Sequence, residues 1–320
     1  MSLPIIDISP LHSANRNDWQ PVIDQIDRAC RELGFFYVVG HGIPQAQFDG
    51  IESMADTLFR LPETEKQRIS IENSQNHRGW GRLSAEKLDP QGELDCKESF
   101  DMALDLSPYH SQVSRCPTLY GPNQYPNIAG FTQAMNQHYS LTLDVGLRIL
   151  KAMAIALNEA EDFFTQHFNL PISVLRMLHY PSQTQATNGA GAHTDYGCIT
   201  LLYQDASGGL QVLNTQDEWM DAPPVAGSFV VNIGDLMQRW TNDIYRSTKH
   251  RVASPTHGRS RFSMPFFVEP DFDTPIVTLA SCLAEKAGQG GYPVITAGDW
   301  IVSRFTETYA YRRERESTAV

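Results

Sequence analysis

The chain of 320 residues lacks several features that would have fixed its class at once. No stretch approaches the roughly 20 consecutive apolar residues of a membrane span. The N-terminus, Met1-Ser2-Leu3-Pro4-Ile5-Ile6-Asp7, has no basic segment followed by an apolar run, so no signal peptide is expected. Cysteine is sparse: Cys30, Cys96, Cys116, Cys198 and Cys282 make an odd number, and no C-x-x-C pair occurs. That argues against a disulfide framework and a thiolate zinc site, and points to a reducing, cytoplasmic setting. Positive charge is in deficit, with 25 Lys and Arg against 37 Asp and Glu and a net charge of −12. A nucleic-acid backbone or an anionic membrane is therefore not an expected partner. There is no internal repeat, no low-complexity tract and no flexible linker. What remains, 41% hydrophobic and 19% charged residues, is an ordinary globular composition.

Two textures divide the chain without a linker between them. The first half reads as helices with a few short strands. Residues 3–8 form an apolar run of strand type, and residues 18–33 place Trp19, Val22, Ile23, Ile26, Ala29, Cys30 and Leu33 at helical spacing. Gly34 stops that helix, and Phe35-Phe36-Tyr37-Val38-Val39 follows as a buried strand. A second helix is expected at about 45–60, a polar loop with short strands at 72–95, a strand from Glu98, the longest helix at about 128–157, and a shorter one near 160–167. From Val174 onward, short β-rich runs at 174–180, 199–204, 209–213, 228–233 and 261–268 alternate with turns, the signature of a sandwich or barrel. A last helix is expected from Thr296 to Arg313. The expectation is mainly β with flanking helices (α+β). It is one domain over 1–320, with a helical and strand region at 1–170 and a β core at 171–320.

Two pairs of side chains stand out. His193 and Asp195 are two residues apart, and on a strand such residues face the same way. His250 follows far along the chain. Two histidines and one carboxylate suit non-haem Fe(II) with open coordination positions, and zinc is the competing metal. The bland alternative for an H-x-D is a capped turn histidine beside a surface acid. Arg261 and Ser263 also share a face, while Phe262, Met264, Phe266 and Val268 take the other. A buried guanidinium needs an anion, which is either an internal acid or a bound carboxylate.

An ordered set of further segments accompanies these pairs. It comprises Pro4-Ile5-Ile6-Asp7, Leu33 to Ile43, Gly121-Pro122-Asn123-Gln124-Tyr125-Pro126, Gly208-Gly209-Leu210-Gln211-Val212, Val231-Asn232-Ile233-Gly234-Asp235 and His250-Arg251-Val252. Together they resemble the isopenicillin N synthase-like group of Fe(II)/2-oxoglutarate-dependent oxygenases over nearly the whole chain. The resemblance implies a distorted double-stranded β-helix, a jelly roll. It implies His193, Asp195 and His250 as iron ligands, and Arg261, Ser263 and Tyr180 as the group holding the distal carboxylate of 2-oxoglutarate. Leu178 stands two residues before Tyr180, where many plant members have Asn. The implied reaction uses O2 and 2-oxoglutarate, releases succinate and carbon dioxide, and hydroxylates, desaturates or cyclises a small molecule. The alternative is an oxidase of the isopenicillin N synthase type, which uses no 2-oxoglutarate and would hold a substrate carboxylate at Arg261 and Ser263. That enzyme has a C-terminal glutamine able to reach iron, and this chain has none after Gln289. A catalytically silent binding protein on the same fold would carry a damaged triad or clamp, and both are intact here.

Other residues read more plainly. His41 and His179 lack a ligand partner at suitable spacing and are expected to be structural. Met135, Met153 and Met177 are expected to fill the core. Asn232 is a candidate for orienting a metal ligand. Arg78 and Trp80 lie in a loop that lines the mouth of the site in related proteins, which makes them candidate substrate contacts. A monomer or weak homo-oligomer is expected.

Overall fold

The computed structural model describes residues 2–89, 92–183, 188–255 and 258–308. Two sheets face each other. The larger has eight strands in the order Ile5–Asp7, Phe35–Val39, Phe229–Ile233, Ile199–Gln204, Arg261–Val268, Val174–Tyr180, Glu98–Ala103 and Gly79–Gly81. The smaller has four, in the order Asn188–His193, His250–Ala253, Leu210–Leu213 and Trp219–Asp221. The segments from the first half of the chain therefore extend both edges of the large sheet. This is the jelly-roll architecture with flanking helices.

The pleat explains why these sequences form these layers. Along Arg261–Val268, Met264, Phe266 and Val268 are almost fully buried in the main core, with Leu175 and Met177 from the adjoining strand. Against this outer face lies the Phe131–Ala156 helix, carrying Met135, Tyr139, Val145, Ile149 and Met153 into the same core. Tyr139 meets Phe266 edge-on, with ring centroids 5.0 Å apart. The Gln20–Glu32 and Gln45–Phe59 helices pack in turn on that long helix. The residues of opposite parity, Arg261, Ser263, Pro265 and Phe267, face inward and line a cavity between the sheets.

Most expected elements form. The differences have local causes. The expected helix near 160–167 is only a 3₁₀ turn, Thr165–His167. It is preceded by Phe163 and Phe164, which pack on Trp240 instead of continuing a helix. The strand Asn188–His193 was not expected, because Asn-Gly-Ala-Gly-Ala has low β-propensity; it forms by pairing with His250–Ala253. The last helix runs Ala297–Thr308, and the remainder of its expected span, 309–313, lies outside the described residues. All five cysteines are free thiols. Among the described residues no helix is long and apolar enough to cross a membrane.

The packing makes two measurable demands. Gly34 has φ +72°, and a Cβ there would lie 1.9 Å from the Arg246 carbonyl oxygen. Gly34→Ala should lower the unfolding free energy by about 2 kcal/mol or more, and an unchanged urea midpoint would refute the tight approach. His138 is fully buried in the long helix, and burial pushes its pKa down to about 4. The unfolded chain takes up that proton near the ordinary pKa of about 6.5, the folded chain only near 4. The stabilisation is complete above pH 6.5 and is lost as the pH falls toward 4, by roughly 3 kcal/mol. Denaturation of the metal-free protein across that range should steepen accordingly, and His138→Leu should remove part of the slope.

Candidate active site

His193 closes the strand Asn188–His193 and His250 opens the strand His250–Ala253. The two residues are direct antiparallel partners, so their rings lie side by side with centroids 4.3 Å apart. Asp195 is not on a strand. It lies two residues past the end of the strand Asn188–His193, just before a bend at 196–198, so the strand pleat alone does not bring the pair together as expected. Asp195 Oδ1 lies 3.7 Å from His193 Nε2 and 3.6 Å from His250 Nε2. One ligand atom from each residue lies within 4.8 Å of the others, a spacing that can close on one ion.

The surrounding hydrogen bonds prepare these atoms for a cation. His193 Nδ1 donates to the Gly191 carbonyl at 2.7 Å, and His250 Nδ1 donates to the Thr248 carbonyl at 3.2 Å. Each ring is thereby set with its Nε2 lone pair toward the shared point. Asp195 Oδ2 accepts from Thr200 Oγ1 at 2.5 Å and from Asn232 Nδ2 at 2.7 Å, leaving Oδ1 for the ion. Burial pushes the His193 pKa down to about 4, helped by the neighbouring His250, so the ring is neutral at pH 7. Burial alone would raise the Asp195 pKa. The two imidazoles and the Asn232 and Thr200 hydrogen bonds outweigh it and keep the carboxylate ionised.

Arg261 faces the same cavity and is 1% exposed. Its Nε donates to the Gly208 carbonyl at 2.6 Å, one terminal nitrogen to Ser263 Oγ at 2.7 Å, and the other to Gln204 Oε1 at 3.3 Å. Its guanidinium lies over the ring of Tyr180, 4.8 Å from the centroid, and Tyr180 is its partner in strand register. Among the described residues no carboxylate pairs with it. A guanidinium buried among neutral groups is a receptor for an anion. Leu178, Leu202, Leu210, Ala190 and Val252 form apolar walls around this end.

A further wall is ionic, built from residues outside the motifs. His77, Lys97, Asp101, Arg176 and Glu269 all line the cavity. The signal was available in part. Arg176 has the parity of Leu178 and Tyr180, and Glu269 continues the inward series from Arg261. Thr200 and Gln204 alternate inward in the same way.

Arg78 and Trp80 do not line the cavity. Arg78 is buried and donates to the carbonyls of Asn76, His77 and Leu119 at 2.7, 3.0 and 2.7 Å. Trp80 Nε1 donates to Glu98 at 2.8 Å. The loop turns at His77, which has φ 59°, and this directs His77 inward and Arg78 into the loop's own backbone. His41 bonds the Gly227 carbonyl and the Ile43 amide, while His179 bonds Glu98. Both are satisfied away from the triad.

Comparison with known proteins agrees with this geometry. Residues 171–270 match the 2OG-Fe(II) oxygenase superfamily, and residues 3–128 match the N-terminal region described as non-haem dioxygenase in morphine synthesis. The 2-oxoglutarate-Fe(II) type oxidoreductase hxnY of Emericella nidulans is 34% identical, over 97% of this chain and 93% of its own. A homoarginine-6-hydroxylase of Glycine max is 37% identical, over 95% and 96%. Among solved structures, a full-length Neurospora crassa protein in complex with alpha-KG and thymine superposes with a TM-score of 0.82, 26% identity, and coverage of 95% and 96%. A 2OG-Fe(II) oxygenase family protein from Caulobacter crescentus gives a TM-score of 0.84, 29% identity, and coverage of 95% and 99%. The chain belongs to the Fe(II)/2-oxoglutarate-dependent oxygenase family. It is a non-haem dioxygenase that uses Fe(II), 2-oxoglutarate and O2 to oxidise a small molecule. The neighbours solved with alpha-KG favour 2-oxoglutarate as cosubstrate over the oxidase alternative.

Asn232 acts on the triad through its hydrogen bond to Asp195 Oδ2. Asn232→Ala should weaken Fe(II) binding roughly 10- to 100-fold in anaerobic titration. An unchanged affinity would mean that Thr200 alone positions the carboxylate.

Proposed function

We propose that His193, Asp195 and His250 hold the iron, and that Arg261, Ser263 and Tyr180 receive the distal carboxylate of 2-oxoglutarate. The observation that carries this reading is the pairing of two complementary features in one cavity: a donor triad for a cation, and a buried guanidinium with only neutral partners. The residues fit the group they would hold. The triad combines two imidazoles with one ionised carboxylate, a set suited to Fe(II) that leaves further coordination positions open.

Iron bound there with 2-oxoglutarate supplies the oxidising chemistry, with succinate and carbon dioxide as coproducts. The protein's own contribution is positional. The Gly191 and Thr248 carbonyls keep both rings in one tautomer and orientation. Thr200 and Asn232 hold one carboxylate oxygen of Asp195 and so fix the other. Arg261 orients the cosubstrate by its far end, with Ser263 Oγ as a further hydrogen-bonding group. Leu178, with no polar atom to offer, joins Leu202, Leu210 and Val252 in excluding water from that end.

The substrate is read as a small polar molecule. Relatives named for homoarginine and the Neurospora crassa structure holding thymine support a polar, nitrogen-bearing class. The chain is further read as one folding unit, because strands from its first 103 residues complete the sheet that carries the site. A monomer or weak homo-oligomer in the cytoplasm fits the five free thiols.

Anaerobic titration with Fe(II) and 2-oxoglutarate, followed by the metal-to-ligand absorption band, tests the assignment. Arg261→Ala should weaken 2-oxoglutarate binding about 100-fold or more while leaving Fe(II) binding unchanged. Equal 2-oxoglutarate affinity in the variant would overturn the role of Arg261.

A further inference from the structure

The inward series of the central strand does not stop at the clamp. Arg261, Ser263, Pro265, Phe267 and Glu269 all line the cavity. Phe267 is opposite Thr200, which holds the metal ligand Asp195, whereas Ser263 is opposite Gln204, which touches Arg261. Glu269 thus continues the series past the level of the triad, at the end away from Arg261. It also sits against the bend at 196–198 that follows Asp195. A Cβ on Gly197 would lie 2.8 Å from Glu269 Oε1.

This carboxylate is 4% exposed, and its Oε2 has no hydrogen-bond partner among the described residues. Its backbone is pinned on both sides. Ser173 Oγ donates to the Glu269 carbonyl and accepts from the Glu269 amide, each at 2.9 Å. The position is therefore held firmly while the side chain's outer oxygen is left for something else.

The nearby cations are committed. Lys97 pairs with Asp95 at 2.8 Å and Glu86 at 3.2 Å. Arg176 pairs with Glu86 and, at 2.8 Å, with Asp101. Arg78 gives its terminal nitrogens to backbone carbonyls. None of the three forms an ion pair with Glu269. Burial pushes the Glu269 pKa up to about 8; Arg78 offsets this only in part, and Asp195 adds to it. A cation brought into the cavity would relieve that cost.

We propose that Glu269 is the substrate-recognising residue of this cavity, and that the substrate is a small molecule bearing a cationic nitrogen group, a guanidinium or ammonium. The inference rests on the proposed iron and 2-oxoglutarate site, which places the oxidising centre between Arg261 and Glu269. Charge sign then sorts the two ligands. The anionic cosubstrate goes to the arginine end, and the cationic end of the substrate goes to the glutamate.

The test compares paired probes by calorimetry on the anaerobic protein loaded with Fe(II) and 2-oxoglutarate. Arginine, homoarginine and lysine are set against citrulline, homocitrulline and norleucine. At least one cationic probe should bind about ten times tighter than its neutral counterpart. Glu269→Gln should erase that preference, with 2-oxoglutarate affinity unchanged. Glu269→Asp, which keeps the charge but withdraws it, should weaken the cationic probe while retaining the preference. The proposal is overturned if no cationic probe binds, if the neutral probes bind as well, or if Glu269→Gln keeps the preference. Should Glu269→Gln fail to fold, loss of the preference in Glu269→Asp would overturn it as well. Failure of the wild-type protein to bind 2-oxoglutarate would count against the clamp instead, and the same probe titrations on the metal-free protein would then decide the role of Glu269.

Discussion

The strand Arg261–Val268 is paired along both edges, with Ile199–Gln204 on one side and Val174–Tyr180 on the other. Its side chains therefore have only two directions available, and each direction is spoken for. One face must be apolar to meet the long helix, and Met264, Phe266 and Val268 meet that demand. The other must face the second sheet, and it carries Arg261 and Ser263. A slip of one residue would bury the guanidinium in hydrocarbon and turn the core side chains into the cavity. Neither the core nor the site can be changed independently of the other along this strand.

The same constraint sets the electrostatics. Every charge in the cavity is taken from water, and each is stable only where a partner or a ligand answers it. Asp195 is answered by Thr200, Asn232 and the two imidazoles. Arg261 is answered by carbonyl, amide and hydroxyl oxygens and by the face of Tyr180, all neutral, which leaves its full positive charge available to a carboxylate. The site is a set of preorganised dipoles and charges arranged before any ligand arrives, so that little reorganisation is needed on binding.

The ionic wall is also tied to the strand Asn188–His193, through Asp95. Asp95 Oδ1 accepts the Gly191 amide at 2.9 Å, and Asp95 Oδ2 accepts from Lys97 at 2.8 Å and from the Leu88 amide at 3.2 Å. Gly191 is the residue whose carbonyl orients His193. Leu88, Asp95 and Lys97 thus share one hydrogen-bonded neighbourhood with the peptide that orients His193. Leu88 also closes the apolar end of the cavity.

Much of this was legible along the chain, because periodicity and spacing are local properties. The strands at 174–180, 199–204 and 261–268, the long helix and the same-face pair Arg261/Ser263 need only the alternation of side chains to be read. The ordered motifs carried the triad and the family. Other features depend on neighbours distant in sequence. The strand Asn188–His193 has no propensity of its own and exists because His250–Ala253 supplies its hydrogen bonds. Asp195 lies past the end of the strand, where the pleat rule no longer applies. Arg78 turns inward on its loop because His77 takes a left-handed backbone conformation. Glu269 has the right parity, but its separation from Lys97, Arg176 and Arg78 follows from pairings those three make elsewhere. Which faces are apolar, and which ligand types the chain carries, could be read from residue order alone. Which charges are left without a partner could not, since burial and pairing are set by residues that meet across the two sheets.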